Sequence, residues 1–371
     1  MSDDNNVSTK KQDIHDDNQQ EKLVPELRFP EFKDNWKLIR LKNLINNESS
    51  KLSINNLEDN YGNYPLYGAS GFIKNINFYK KEENYIAIVK DGSGVGNSFI
   101  YNGKSSVVGT MQYLNTINNN DLKFAYYLLQ TLNLEKYKIG SSIPHIYFKD
   151  YSKEKIYLPS INEQKEISNF LSLIDKKIEL LEKSLILNER LIQSFSNSLF
   201  KDLNYKNSEV TILSKICTVN KGEQLNKEDM ISNGKYYVLN GGKEPSGYTD
   251  KWNVCKNTIT ISEGGNSCGF INFNFKNFWA GGHCYYLTDL KININLYYLY
   301  YYLKENQNKI MRLKVGSGLP NIQKKDIKNL KIKLPSIKKQ KEISDSLLIL
   351  NKKLEINRTK LKLLKTFKKG L

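Results

Sequence analysis

Four asparagines, Asn97, Asn240, Asn266 and Asn321, stand in or beside glycine-containing stretches: KDGSGVGNS (90–98), LNGGKEPSGY (239–248), SEGGNSCG (262–269) and GSGLPN (316–321). His145 closes the similar stretch GSSIPH (140–145), and LYGASGF (66–72) is a further loop of the same kind. A side-chain amide pairs bidentately with the N6/N7 edge of adenine, so this set, His145 included, comprises candidate base readers. Glycine lets the backbone approach a ligand closely. Lys90, Lys104, Lys243 and Lys324 lie in or near the same stretches and suit phosphates, whose contacts position a protein on a duplex without specifying sequence.

Other chemistries fit less well. NGKSS (102–106) suggests a phosphate-cradling loop, but Ser98 stands where that motif needs its first glycine. DGSGVG (91–96) lacks the GxGxxG spacing and reads as a turn between strands. Cys255, Cys268, His283 and Cys284 could be imagined as a zinc set, but adjacent His-Cys ligands suit a tetrahedral ion poorly. The expectation for the four cysteines, Cys217 included, is buried free thiols. No Asn/Asp-Pro-Pro-Tyr/Phe tetrapeptide, as used by adenine methyltransferases, occurs, and no convincing nuclease carboxylate set is present.

The chain has 371 residues and a formal net charge of +17. Its basic excess falls in the two β-rich halves and the last segment, while residues 1–22 are net acidic. Such a distribution points to a polyanionic partner. Only five of the basic residues are arginine: Arg28, Arg40, Arg190, Arg312 and Arg358. No apolar run approaches the ~18–20 residues of a membrane span and the N-terminus is polar, so a cytoplasmic protein without membrane contact is expected.

The elements that must carry these loops are written twice. LPSINEQKEIS (158–168) returns as LPSIKKQKEIS (334–344), at an offset of 176 that holds from Gly140/Gly316 to Lys177/Lys353. Strand-like NYIAIVK (84–90) and SVVGTMQYL (106–114), then helical DLKFAYYLLQTL (121–132), are followed in the second half by NTITIS (257–262), FWAGGHCYYL (278–287) and LYYLYYYLKE (296–305). After each Leu-Pro-Ser the apolar period becomes seven. One seam runs Ile167, Leu171, Ile174, Ile178, Leu181, Leu185, Ile192, Phe195, Leu199; the other runs Ile343, Leu347, Leu350, Leu354, Leu361, Leu364. Asn188 and Asn357 occupy the skipped sites, and Pro159-Ser160 and Pro335-Ser336 stop the preceding strand and cap the helix. The expected organisation is a disordered tail (1–22), an α+β domain (23–160), a helical region (161–205), a second α+β domain (206–334) and a second helical region (335–371). Paired antiparallel about a pseudo-two-fold axis, the two long helices would form the coiled-coil bar of a dumbbell.

PELRFPEFKDNW (25–36), two unlike β-rich domains, two GS..P…LPS…Q.EI junctions and a long helix after each together resemble the specificity (S) subunit of type I restriction-modification systems. The resemblance implies two target recognition domains, each reading one half of a bipartite double-stranded DNA site, with the helices as spacer. It implies a non-catalytic chain without a cofactor of its own. S-adenosylmethionine would be bound by two partner methyltransferase (M) subunits docked on the helical regions, and motor-nuclease (R) subunits could join. The family's reading residues vary between members, so the candidates above rest on their own chemistry. The competing reading is a non-enzymatic coiled-coil protein that binds RNA or DNA, which explains the charge but not two unlike copies.

Overall fold

A computed structural model describes residues 25, 27–201, 208–316, 318 and 320–371. The expected tail, 1–22, lies outside them, as do Lys206 and Asn207 at the expected start of the second domain and Ser317 and Leu319 of the GSGLPN loop. The described residues form two compact units, those up to 178 together with 365–371, and those from 179 to 364.

In the first unit the order is β1 (Lys37–Arg40), β2 (Ile45–Ser49), β3 (Tyr64–Gly68), β4 (Gly71–Ile76), β5 (Tyr85–Val89), β6 (Ser98–Tyr101), β7 (Ser106–Val107), β8 (Met111–Thr116), α1 (Leu122–Thr131), α2 (Phe148–Tyr151), β9 (Lys155–Leu158) and the long α3 (Ile161–Lys201), of which only the residues up to 178 belong to this unit. Every residue of β5 is buried, because this inner strand of the sheet β2-β8-β5-β6 is covered on both faces. Alternation sends Ile86 and Ile88 to the core that holds Ala125 and Leu129 of α1, and Tyr85, Ala87 and Val89 to a second core with Val107 and Tyr113. A three-stranded sheet, β4-β3-β7, with β3 and β7 parallel, and the antiparallel pair β1-β9 complete the domain.

The second unit repeats this plan. It contains β10 (Glu209–Ile212), β11 (Thr218–Lys221), β12 (Tyr236–Leu239), β13 (Gly247–Thr249), β14 (Thr258–Ser262), β15 (Ile271–Asn274), β16 (Trp279–Ala280), β17 (Cys284–Thr288), α4 (Leu296–Glu305), α5 (Gln307–Met311), α6 (Lys324–Lys328), β18 (Lys331–Leu334) and α7 (Ile337–Gly370). Its sheets are β11-β17-β14-β15, β13-β12-β16 and β10-β18. Two tandem α/β domains, each followed by a long helix, are thus present as expected. Two details differ. SVVGTMQYL and FWAGGHCYYL are β-rich as expected, but each is divided into two strands, because the chain passes from one sheet to the other at Val108–Thr110 and at Gly281–His283. Among the thiols, Cys217, Cys268 and Cys284 are buried but Cys255 is exposed, since it lies in the turn before β14 rather than on a core-facing strand position.

The repeated Leu-Pro-Ser segments have a visible purpose. Ser160 and Ser336 cap their helices, each hydroxyl accepting the N–H three residues on (Glu163 and Lys339) at 3.4 Å. Gln164 and Gln340 are almost fully buried. Gln164 Oε1 accepts the N–H of Asp121 at 3.0 Å while its Nε2 donates to Pro159 O and Asn120 Oδ1. Gln340 treats Asn295, Pro335 and Asn293 in the same way. Asp121 and Asn295 are the N-caps of α1 and α4, so each glutamine locks the long helix to the domain's own helix. The copies differ one position earlier. Glu163 is buried and takes a bidentate pair from Arg28 (2.6 and 2.8 Å) and the indole N–H of Trp36 (3.1 Å), whereas Lys339 is exposed.

The helices α3 and α7 have 41 and 34 residues. Within the second unit they run antiparallel: Leu199 and Phe200 pack on the core that receives Ile343 and Leu347, while Glu189 meets Arg358 at 2.6 Å. Leu185 and Leu354 are buried seam residues. Phe195, expected in the seam, is 37% exposed. A 3.6-residue helix drifts against a strict heptad, so by this turn the covered side includes half-buried Ser196, whose hydroxyl bonds Glu305, and half-buried Phe200. Among the described residues no helix is long and apolar enough to cross a membrane.

Candidate nucleic-acid interface

Each domain gathers its polar loops where the chain leaves the inner strand of the four-stranded sheet. Beyond β5, Gly92 N–H donates to Pro144 O (2.9 Å), Ile146 N–H to Lys90 O (2.9 Å) and Gly96 N–H to Val89 O (2.9 Å). Beyond β14 the same three bonds recur: Gly265 to Pro320 (2.9 Å), Ile322 to Glu263 (2.8 Å) and Gly269 to Ser262 (2.8 Å). Gly92 and Gly265 have φ of +99° and +73°, a conformation that side chains with a Cβ rarely adopt, which explains glycine at both. The backbone bonds are conserved between the halves; the side chains they carry are not.

In the first domain two of the predicted residues meet through a third that was not predicted. Lys90 Nζ and His145 Nδ1 both bond the carboxylate of Asp91, His145 at 2.8 Å. Burial pushes the Asp91 carboxyl up, but the bonds from His145 and Lys90 outweigh it and hold the group below the usual range. Asn97 is exposed at the end of this loop, beside a cavity of about 170 Å³ that Ser98, Gln130 and Asn133 also line. Lys104 does not join them. It lies in the β6–β7 turn with φ +55°, exposed and 3.8 Å from Glu82. That turn stands at the opposite end of β5, five residues or roughly 17 Å away.

The second domain brings its three amides together. Asn240 Oδ1 accepts the N–H of His283 at 3.3 Å, Asn266 is exposed on the loop that Gly265 starts, and Asn321 bridges through its backbone to Gly264 and Val315. At their centre is Glu263, 4% exposed, which the lysine-and-amide reading passed over. Its Oε1 accepts from Lys221 Nζ (2.7 Å) and Tyr285 OH (2.8 Å), and Oε2 is 3.4 Å from His283 Nδ1. Burial raises this carboxyl, yet Lys221 and Tyr285 together bring it below the ordinary value. Lys243 is exposed with its ammonium 5.6 Å from the centre of the Phe270 ring, and Lys324 is exposed at the start of α6. Lys304, also over Phe270 at 4.0 Å, was not predicted; it bonds Ile271 O and Gln307 Oε1, both at 2.9 Å. Sequence reasoning missed Asp91, Lys221, Glu263, Tyr285 and the placement of His283. An acid directly before glycine at a strand end, as in KDG and SEGG, was the available signal.

Residues 33–189 and 205–366 match the family described as type I restriction modification DNA specificity domain, so the match is repeated, once per half. The chain belongs to this family. It is 38% identical over 155 residues to a protein of Mycoplasma pneumoniae described as a type I specificity subunit, an alignment covering 39% of this chain and 41% of that one. It is 30% identical over 233 residues to a type I restriction enzyme specificity subunit of Methanocaldococcus jannaschii, covering 57% and 52%. The chain thus spans about two fifths to one half of the length of these relatives. Its fold is similar to the crystal structure of a type I restriction-modification S subunit from M. genitalium, with a TM-score of 0.74 and 22% identity over 91% of this chain and 94% of that one.

Proposed function

We propose that this chain is the DNA-sequence-reading subunit of a type I restriction-modification complex, each α/β domain reading one half of a bipartite double-stranded site. The observation that carries the reading is the pair of loop clusters: the same backbone bonds hold Lys90, Asp91 and His145 in one domain and Glu263, His283 and Asn321 in the other. One scaffold with two sets of base-edge groups is what an asymmetric site requires. The chain is non-catalytic in this reading. Two methyltransferase subunits bring S-adenosylmethionine and the methyl transfer, motor-nuclease subunits add cleavage, and the complex works in the cytoplasm. Lys90, Lys243 and Lys324 hold phosphates, while Asn97, His145, Asn240, Asn266 and Asn321 read bases. Lys104, at the far end of β5, would contact the backbone only where DNA extends past that edge.

The test is an exchange. Residues 206–334 are replaced by the matching segment of a relative with a different specificity, and methylated adenines are mapped in cells that also express the methyltransferase subunit. Half of the methylated sequence changes and the other half stays. A change in both halves, or methylation indifferent to the exchange, overturns the reading.

A further inference from the structure

Both domains place an imidazole beside a carboxylate in the loop cluster, and they do so from unrelated positions. His145 lies in the 139–146 loop, where the repeat puts Asn321 in the second half. His283 lies in the turn between β16 and β17, where the first half has Thr110: the carbonyl of Thr110 accepts from Lys90 N–H, and that of His283 accepts from Glu263 N–H, both at 2.9 Å. The acids also differ in position, Asp91 matching Gly264 and Glu263 matching Lys90 by the same backbone bonds. Descent from a common half does not explain two pairings built from different strands and loops; a shared task does.

The chemistry of each pair sets what the ring can do. A carboxylate only accepts, so the neutral imidazole carries its proton on Nδ1, and Nε2 on the other side of the ring is left as an acceptor. His145 Nδ1 is 2.8 Å from Asp91 Oδ1, and 39% of the His145 side chain is exposed. His283 is 60% exposed, with Nδ1 3.4 Å from Glu263 Oε2. Among the described residues that buried oxygen has no hydrogen-bond partner, and closing the gap by about half an ångström satisfies it. Gly241 leaves His283 its room, since a Cβ there would stand 2.9 Å from the His283 carbonyl oxygen and 3.1 Å from its Cβ. In the major groove only the exocyclic amines of adenine and cytosine donate; guanine and thymine offer acceptors.

We propose that His145 and His283 are specificity-determining acceptors, each reading the amino group of an adenine or cytosine on one strand, one in each half of the recognised sequence, and each held in the reading tautomer by its acid. The proposal rests on the DNA-reading assignment above. It is tested with the full chain by selection from a random-sequence duplex library, followed by sequencing of the bound DNA. For the unaltered chain one position per half-site prefers A or C over G or T by about tenfold, the scale of one good base contact. His283→Ala abolishes that preference at one position and leaves the other half unchanged; His145→Ala does the converse. Asp91→Asn is the sharper variant. An amide can donate to Nδ1 as well as accept from it, so Nε2 becomes either donor or acceptor, and G and T are admitted where His145 held by the Asp91 carboxylate refuses them. Glu263→Gln does the same for His283, and thermal unfolding verifies that each variant is folded. Enrichment that persists with a G/T preference at these positions, or with an A/C preference indifferent to all four substitutions, overturns the proposal while leaving DNA reading intact. A library that the unaltered chain does not enrich overturns both.

Discussion

Gln340 Oε1 accepts the backbone N–H of Asn295 at 2.9 Å, so a side chain at the start of the long helix α7 closes the N-cap of α4, 45 positions earlier in the chain. Gln164 makes the equivalent bond to Asp121. Replacing either glutamine with alanine strands one N–H and two oxygens, those of Asp121, Pro159 and Asn120 or of Asn295, Pro335 and Asn293, at buried or half-buried positions. Gln164→Ala and Gln340→Ala should each cost about 2–4 kcal/mol in denaturant unfolding, whereas the neighbouring exposed Lys165→Ala should cost almost nothing. Equal stability of Gln164→Ala and the unaltered chain would show that the repeated glutamine is not the lock described.

Two ion pairs with similar distances should differ widely in effect. Arg28–Glu163 is almost wholly buried and carries a third donor, Trp36, while Glu189–Arg358 is about half exposed. Breaking a buried pair leaves a charge without water or partner; breaking an exposed one does not. Glu163→Ala should therefore lower the melting temperature clearly, and Glu189→Ala should stay within about 1 kcal/mol of the unaltered chain.

Lys304 supplies a pH signature. Burial, reinforced by Lys243, pushes its ammonium down to about 8. The unfolded chain holds that proton up to the ordinary lysine range, so between pH 8 and about 10 it binds more protons than the folded one, and stability rises with pH through this window. Lys304→Met should remove the rise, and Lys243→Ala should shrink it. A rise that survives in Lys304→Met assigns it to another group.

Salt dependence separates the lysines. Lys243 and Lys324 are exposed near the second loop cluster, and each phosphate contact contributes about 0.9 to the slope of log K against log salt. Changing both to alanine should lower the slope by about 1.8, while Lys104→Ala, at the far end of β5, should leave it unchanged on a short duplex. An equal loss from Lys104→Ala would place DNA at the far end of β5 in the first domain as well.

Much of the scaffold was legible because local rules and tertiary packing agree. The all-buried β5 reads as a strand from Tyr-Ile-Ala-Ile-Val alone, and α4 coincides with LYYLYYYLKE. The heptads gave two long helices, although a strict count misplaced Phe195, since period drift is invisible in a list of spacings. The site was read only in part. Amides and lysines declare their chemistry in sequence, but Glu263 acquires a role only when Lys221, Tyr285 and His283 arrive from three other positions. Acids near a polyanion look unfavourable until those partners are seen.

The loops beyond β5 and β14 are tied at both ends by backbone atoms, and the groups they offer to a ligand are side chains. Ser93 and Asn266 are exposed and their side chains take no part in those ties, so exchange there costs little in folding, whereas Val95 and Cys268 in the same loops are buried in the cores and anchor them. A lineage can rewrite the word it recognises one letter at a time while the grammar that holds the letters in place is inherited intact. On the DNA-reading role proposed above, that separation makes a change of target far less costly than a change of fold.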